Sequence, residues 1–330
     1  MAIKKNFKKL VVIFITLLLI IPINVLAYSN KVYLGGENIG IEVNSSGILI
    51  VGIYKVGNTY PAKDANLRIG DLITHINNNK VNNIDEMIKQ IKISNKENIS
   101  ITYLRNHKQN LTNLMLEKQS NGVYKTGLYV KDKITGIGTL TFIDPETNKF
   151  GALGHEIIEA NSSVKLDIKD GIIYKSEVTS IKKGERGIPG EKNAKYDKNI
   201  VFGSIDENTS SGIFGTYNDK INNKKLIDIA QPNEIKLGGA TIKTVLKNNE
   251  ILEYNINIIK LNFTTNTKNI LFEVTDKNLL KKTGGVISGM SGSPIIQNNK
   301  LIGAVSHVLV DEPTKGYGIL ITTMLKESDN

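Results

Sequence analysis

Six consecutive residues, Gly289-Met290-Ser291-Gly292-Ser293-Pro294, have the types and spacing for acyl-transfer chemistry. A serine hydroxyl presented on a tight turn is a nucleophile, and the flanking glycines permit the backbone conformation such a turn needs. The N–H groups of Gly289 and Ser291 are then placed to hold the oxyanion that forms when Ser291 attacks a carbonyl. A serine hydroxyl is protonated near neutral pH and needs a base. Of the four histidines, His155 ends the run Phe150-Gly151-Ala152-Leu153-Gly154-His155 and is the candidate base, and His307 is the other in the C-terminal part. His75 and His107 stand at no recognisable ligand spacing and read as surface or packing residues. His155-Glu156 does not open a zinc-binding H-E-x-x-H, because Glu159 stands where the second histidine is required. The chain has no cysteine, which excludes disulfides, a thiol nucleophile and cysteine-based zinc sites. No metal and no cofactor is expected.

The elements that must position these groups are mostly strands. After Ser291, Ile295-Ile296, a turn at Asn298-Asn299 and the run Leu301 to Val305 read as a hairpin leading away from the nucleophile. Gly136 to Ile143 reads as a strand, Asp144 to Asn148 as a turn and Phe150 to His155 as the returning strand, so His155 closes a Gly-rich hairpin. Chymotrypsin-like barrels hold their base in a similar early position. Ile181 to Lys192 is rich in Gly, Pro and charge and reads as a long surface loop.

Upstream, Val32 to about Leu116 mixes the two periodicities. Gly47 to Gly52 reads as a buried strand, and Ile84, Met87, Ile88 and Ile91 recur at helical spacing. Ala65, Leu67, Gly70, Asp71, Leu72, Ile73, Ile76 and Asn77 form A-x-L-x-x-G-D-x-I-x-x-I-N, which resembles the PDZ signature. Such modules add a peptide as a strand and hold its terminal carboxylate in backbone N–H groups. Gly35, Gly36, Ile39 and Gly40 are the candidate carboxylate loop. The alternative is a PDZ fold docked on its own catalytic domain with no free ligand.

The chain of 330 residues is long enough for two domains behind a targeting segment. Lys4, Lys5, Lys8 and Lys9 precede the apolar run Leu10 to Leu26 and Ala27, as in a signal peptide or signal anchor. The expected organisation is mainly β with some α: a signal peptide or anchor at 1–28, a PDZ domain at 32–118 and a chymotrypsin-like β-barrel serine peptidase domain at 123–330. The net charge of +10 comes from lysines scattered among Asn and Ile. That pattern suits a basic surface near anionic lipid and argues against nucleic-acid reading.

The segments 151–156 (G-A-L-G-H-E), 283–297 (T-G-G-V-I-S-G-M-S-G-S-P-I-I-Q) and 301–308 (L-I-G-A-V-S-H-V), in the order anchor, PDZ, peptidase, resemble the SpoIVB peptidase family. The resemblance covers nearly the whole chain. It implies export across the forespore membrane and action in the intermembrane space, anchored or released. It also implies self-cleavage, then cleavage of a membrane-bound regulator of an intramembrane metalloprotease, which triggers mother-cell sigma-factor processing. His155 and Ser291 match the family's base and nucleophile. Its acidic member, fifteen residues before the serine, falls on Asp276. That residue would orient His155, or cap a turn, and Asp167, Asp170, Asp206 and Asp228 compete for the role. Met290 stands where digestive enzymes carry an aspartate that pairs with a new N-terminus, so activation by that ion pair is not expected. By analogy with related peptidases, His307 lines a specificity pocket that reads the P1 side chain, or is structural. Two rival functions differ in class: a non-catalytic PDZ scaffold, and an HtrA-like envelope quality-control protease, in which the PDZ normally follows the peptidase domain.

Overall fold

The computed structural model describes residues 29–160, 162, 165, 167–221 and 224–328. The expected targeting segment at 1–28 lies outside the described residues. Among the described residues no helix is long and apolar enough to cross a membrane.

The chain opens with β1 (Lys31–Leu34) and β2 (Asn38–Ile53). Then come α1 (Pro61–Asp64), β3 (Leu72–Ile76), β4 (Asn79–Lys80), α2 (Ile84–Ser94), β5 (Asn98–Arg105), β6 (Lys108–Met115) and the short pair β7 (Glu117–Lys118) and β8 (Tyr124–Lys125). Next are β9 (Leu128–Ile143), β10 (Lys149–Ala152), β11 (Ile168–Lys182), β12 (Glu191–Thr209), β13 (Gly212–Tyr217) and β14 (Leu226–Ile229). The rest is β15 (Gly238–Val245), β16 (Ile251–Leu261), β17 (Ile270–Val274), α3 (Lys277–Thr283), β18 (Pro294–Gln297), β19 (Lys300–Val308), β20 (Lys315–Leu320) and α4 (Ile321–Ser328).

Two antiparallel barrels close from these ladders. The first runs β2-β9-β10-β13-β12-β11 and back to β2. The second runs β15-β16-β17-β20-β19-β18 and back to β15. Closure leaves no free sheet edge in either. Alternation supplies each interior: β17 turns Ile270, Phe272 and Val274 inward and leaves Leu271 and Glu273 half-buried. Phe150, Leu140 and Ile173 fill the first barrel, and Phe272, Ile256 and Ile295 fill the second. Between them, α4 buries Ile321, Met324 and Leu325 against Phe142 and Phe214.

The PDZ-like module uses the second half of β2, β3, β5 and β6, with α1 and α2 over a core that includes Ile48, Ile73, Met87 and Ile101. Asn83 caps α2 by accepting from the Glu86 N–H, and Glu86 returns the bond to the Asn82 N–H. Asp71 of the signature is buried and takes a bidentate bond from Arg105 (both 2.7 Å).

The structure corrects the expected carboxylate loop. The first half of β2 is part of the first barrel, paired to β9 on one side and β11 on the other, and β1 pairs with the end of β9. The N–H groups of Gly35 and Gly36 are consumed by the carbonyls of Thr141 (3.0 Å) and Leu140 (2.8 Å). A Cβ on Gly35 would stand 2.2 Å from the Leu140 oxygen, and one on Gly40 2.4 Å from the Cβ of Tyr196. These glycines serve close strand packing, and Ile39 is fully buried beside them. Sequence pattern cannot distinguish a strand whose edge waits for a peptide from one whose two edges are already paired.

Candidate active site

Ser291 sits on the turn between α3 and β18, on the second barrel, and the first barrel clamps it. The N–H of Thr139 on β9 donates to the Ser291 carbonyl (2.9 Å), and its hydroxyl donates to the Gly289 carbonyl (3.0 Å). The Thr141 hydroxyl donates to Gly292 O (2.8 Å), and the Gly292 N–H to Val305 O (2.7 Å). Gly289 and Gly292 adopt φ of 89° and 90°, a region that glycine enters without steric cost.

Two further bonds fix the N–H groups of Gly289 and Ser291. The Gly289 N–H shares a peptide plane with the Ser288 carbonyl, which accepts from the Lys192 N–H (3.0 Å). The Ser291 N–H shares one with the Met290 carbonyl, which accepts from the Ser293 N–H (2.9 Å). In a trans peptide the N–H points opposite to its carbonyl, so anchoring both carbonyls sets both donors. Met290 and Ser293 are fully buried.

His155 follows β10 on the first barrel, after Leu153 and Gly154, both at φ 70°. Its Nδ1 lies 2.7 Å from the Glu156 carbonyl. A carbonyl only accepts, so Nδ1 carries the hydrogen, and in the neutral imidazole Nε2 then bears the lone pair. Burial pushes the imidazole below its ordinary range, and the Glu156 carbonyl and carboxylate pull it partly back. A cavity of about 230 Å³ is lined by His155, Gly289 and Ser291 together with Ile41, Ile137 and Leu153. The Ser291 hydroxyl donates to the Ser306 carbonyl (3.2 Å). A larger cavity of about 420 Å³, between the PDZ-like module and the first barrel, is lined by Arg68, Asp71 and Arg105 and by none of these groups.

The structure does not bring Asp276 to His155. Asp276 follows β17 on the second barrel and is the N-cap of α3, accepting from the N–H groups of Asn278 (2.9 Å) and Leu279 (3.0 Å). Free donors at a helix start claim such a carboxylate. Among the competing acids, Asp167 faces His107 (3.5 Å) and Asp228 faces Lys31 (3.5 Å). Asp170 takes the Asn44 amide, and Asp206 is exposed. His307 does not line the cavity. Its ring packs on that of His155, with centroids 5.2 Å apart.

Sequence reasoning missed two residues. Lys192, at the end of the segment read as a surface loop, is buried, with its stem behind Gly289 and its ammonium on the Thr244 hydroxyl (2.8 Å). Asn208, near the end of β12, braces the residue after Glu156: it accepts from the Ile157 N–H (2.7 Å) and donates to the Ile157 carbonyl (3.0 Å). A lysine in a charged stretch and an asparagine beside a turn carry no signal that marks them.

The family model for the SpoIVB peptidase S55 matches residues 122–325, and a PDZ domain model matches residues 37–116. A search of the curated proteins finds no match. Among solved structures, the PDZ domain of the SdrC-like protein (Lmo2051) from Listeria monocytogenes is similar: 28% identity over 27% of this chain and 93% of that chain, TM-score 0.24. The inactive form of the Rv3671c protease from M. tuberculosis is 12% identical over 58% of this chain and 82% of that one, TM-score 0.32. Its active form is 15% identical over 57% and 70%, TM-score 0.31. The peptidase model spans more than half of the chain, including both the clamped serine turn and the histidine loop. The chain therefore belongs to the SpoIVB peptidase S55 family, carries a PDZ domain and is a serine endopeptidase.

Proposed function

We propose that Ser291 is the nucleophile and His155 the general base of this peptidase. The observation that carries the assignment is that the two residues come from different barrels and line one cavity, with His155 Nδ1 held by the Glu156 carbonyl so that Nε2 is the lone-pair nitrogen of the neutral ring. Ser291 Oγ turns from the Ser306 carbonyl, passes its proton to Nε2 and bonds to the substrate carbonyl carbon. The oxygen of that carbonyl takes the negative charge and is held by the N–H groups of Gly289 and Ser291, where each such donor contributes on the order of 10²- to 10³-fold in rate. The imidazolium returns the proton to the departing amine as the peptide C–N bond breaks, and water releases the acyl group by the same steps in reverse.

The family match supports a sporulation role. In this reading the protein is exported across the forespore membrane and held there or released by its N-terminal segment. It cuts itself and then a membrane-bound regulator of an intramembrane metalloprotease. β2 is paired on both edges, which favours a PDZ module docked on its own catalytic domain over one that adds a free peptide at this strand.

The test compares the full-length wild type with Ser291→Ala for self-cleavage and for labelling by a fluorophosphonate. Labelling and self-cleavage confined to wild type are expected. Equal labelling in both would assign the reaction to another serine. Broad degradation of unfolded proteins, with no preference for a membrane-bound regulator, would favour a quality-control protease.

A further inference from the structure

We propose that Asn208 is the positioning residue of the catalytic base, and that the Glu156 backbone carbonyl takes the place of a carboxylate on His155 Nδ1. The proposal rests on the reading of His155 and Ser291 given above. The Glu156 carbonyl that accepts from Nδ1 and the Ile157 N–H that donates to Asn208 Oδ1 belong to one peptide unit. Planarity makes them point in opposite directions. Fixing the N–H on Asn208 therefore aims the carbonyl at His155. A hydrogen bond at the N–H also polarises the amide and makes its oxygen a better acceptor. The relay runs from Asn208 Oδ1 through the Glu156–Ile157 peptide to the imidazole.

Asn208 suits the task for a second reason. Its Nδ2 donates to the Ile157 carbonyl, so the side chain grips the residue by both an acceptor and a donor. Among acyl side chains only a carboxamide has both, because an ionised carboxylate only accepts. Asn208 is 8% exposed and its backbone pairs with Ile213, so the grip is anchored in the first barrel. That is the barrel carrying His155, whereas Asp276 lies on the other barrel, with Oδ1 engaged by the start of α3 and Oδ2 by the Asn255 N–H. The arrangement selects the tautomer that a base needs without adding a negative charge.

The test uses the full-length protein as wild type, Asn208→Ala, Asn208→Asp and Asp276→Asn. The readouts are the rate of fluorophosphonate labelling against pH and the 15N signals of His155, assigned with His155→Gln. Asn208→Ala is expected to lose about 100-fold in labelling rate, with the single Nδ1–H tautomer replaced by a mixture. Asn208→Asp keeps the acceptor for Ile157 and adds charge, so it should recover much of the rate and move the pH midpoint upward. Asp276→Asn, which still caps α3, should keep the wild-type rate and tautomer. A loss in Asp276→Asn with wild-type behaviour in Asn208→Ala overturns the proposal. So does a loss of rate in Asn208→Ala with tautomer and midpoint unchanged, which marks a merely structural residue. Should Asn208→Ala fail to fold, the midpoint of Asn208→Asp and the rate of Asp276→Asn decide. Absence of labelling in wild type would sink the peptidase assignment alone. The His155 tautomer in wild type and Asn208→Ala would still test the relay.

Discussion

At the scale of the residue, the site runs on desolvation. His155 is held below the ordinary histidine value of 6.5 chiefly by burial. His307, packed on it, is pushed down to about 4 by burial and by the charges of His155 and Lys268. A general base works only in its neutral form. As pH falls, His155 protonates only on passing its folded value, so the base stays competent to more acid pH than an ordinary histidine. The acid limb of the labelling rate is thus expected to have its midpoint below pH 6.5. A rate profile against pH with its midpoint at or above that value would contradict the burial argument. Ser291 and His155 were legible as candidates in the sequence because nucleophile and base types are few and each sat beside glycines. Asn208 was not, since only the fold sets its carboxamide against Ile157.

At the scale of the element, the nucleophile turn is shaped by the strand facing it. Thr139 and Thr141 hold the carbonyls of Gly289, Ser291 and Gly292, and this contact crosses from one barrel to the other. Gly292 leaves no room for change: its φ is 90°, and a Cβ there would stand 2.0 Å from the Thr139 oxygen. Gly292→Ala is expected to cost more than about 1 kcal/mol and to abolish labelling, because relief of the clash must move Thr139 or the turn. Urea unfolding of the variant beside wild type checks the first part. A variant with wild-type midpoint and labelling would show the clamp to be slack. The glycines were read correctly as turn formers, but the threonines that oppose them lie some 150 residues away in the chain.

At the scale of the whole molecule, Lys192 links the barrels. It stands on β12 of the first, lays its stem behind Gly289 and bonds Thr244 on β15 of the second. Burial brings its ammonium from 10.5 down to about 7. The unfolded chain takes up that proton as pH falls through 10.5 and the folded one only near 7, so wild type loses stability across this window as pH falls. Below about 7 the deficit is constant. Lys192→Met keeps the backbone bond to Ser288 and removes the ionisable group. It is expected to raise stability by on the order of a few kcal/mol at and below pH 7, with the gain shrinking as pH approaches 10.5. Thermal unfolding of both proteins from pH 6 to 10 measures this. A Met variant less stable at pH 7, or a pH-independent difference, would refute it. The loop after His155 is also tied to β9 where that strand pairs with the PDZ half of β2, because Lys131 pairs with the buried Glu159 (2.9 Å).

The sequence by itself determined the mainly β character and the PDZ module and singled out the candidate serine and histidine. Alternation, helical spacing and Gly-bounded turns are local properties that a few neighbouring residues dictate. Tertiary structure alone decided which edges of β2 are free, where Asp276 spends its carboxylate and what orients His155. It also decided that a lysine from a charged stretch ends up buried behind Gly289. The edges of β2 and the burial of Lys192 depend on the closing of two barrels rather than on any window of sequence, whereas Asp276 and His155 bond groups within three residues of themselves, and the fold decides only that those local partners are in reach.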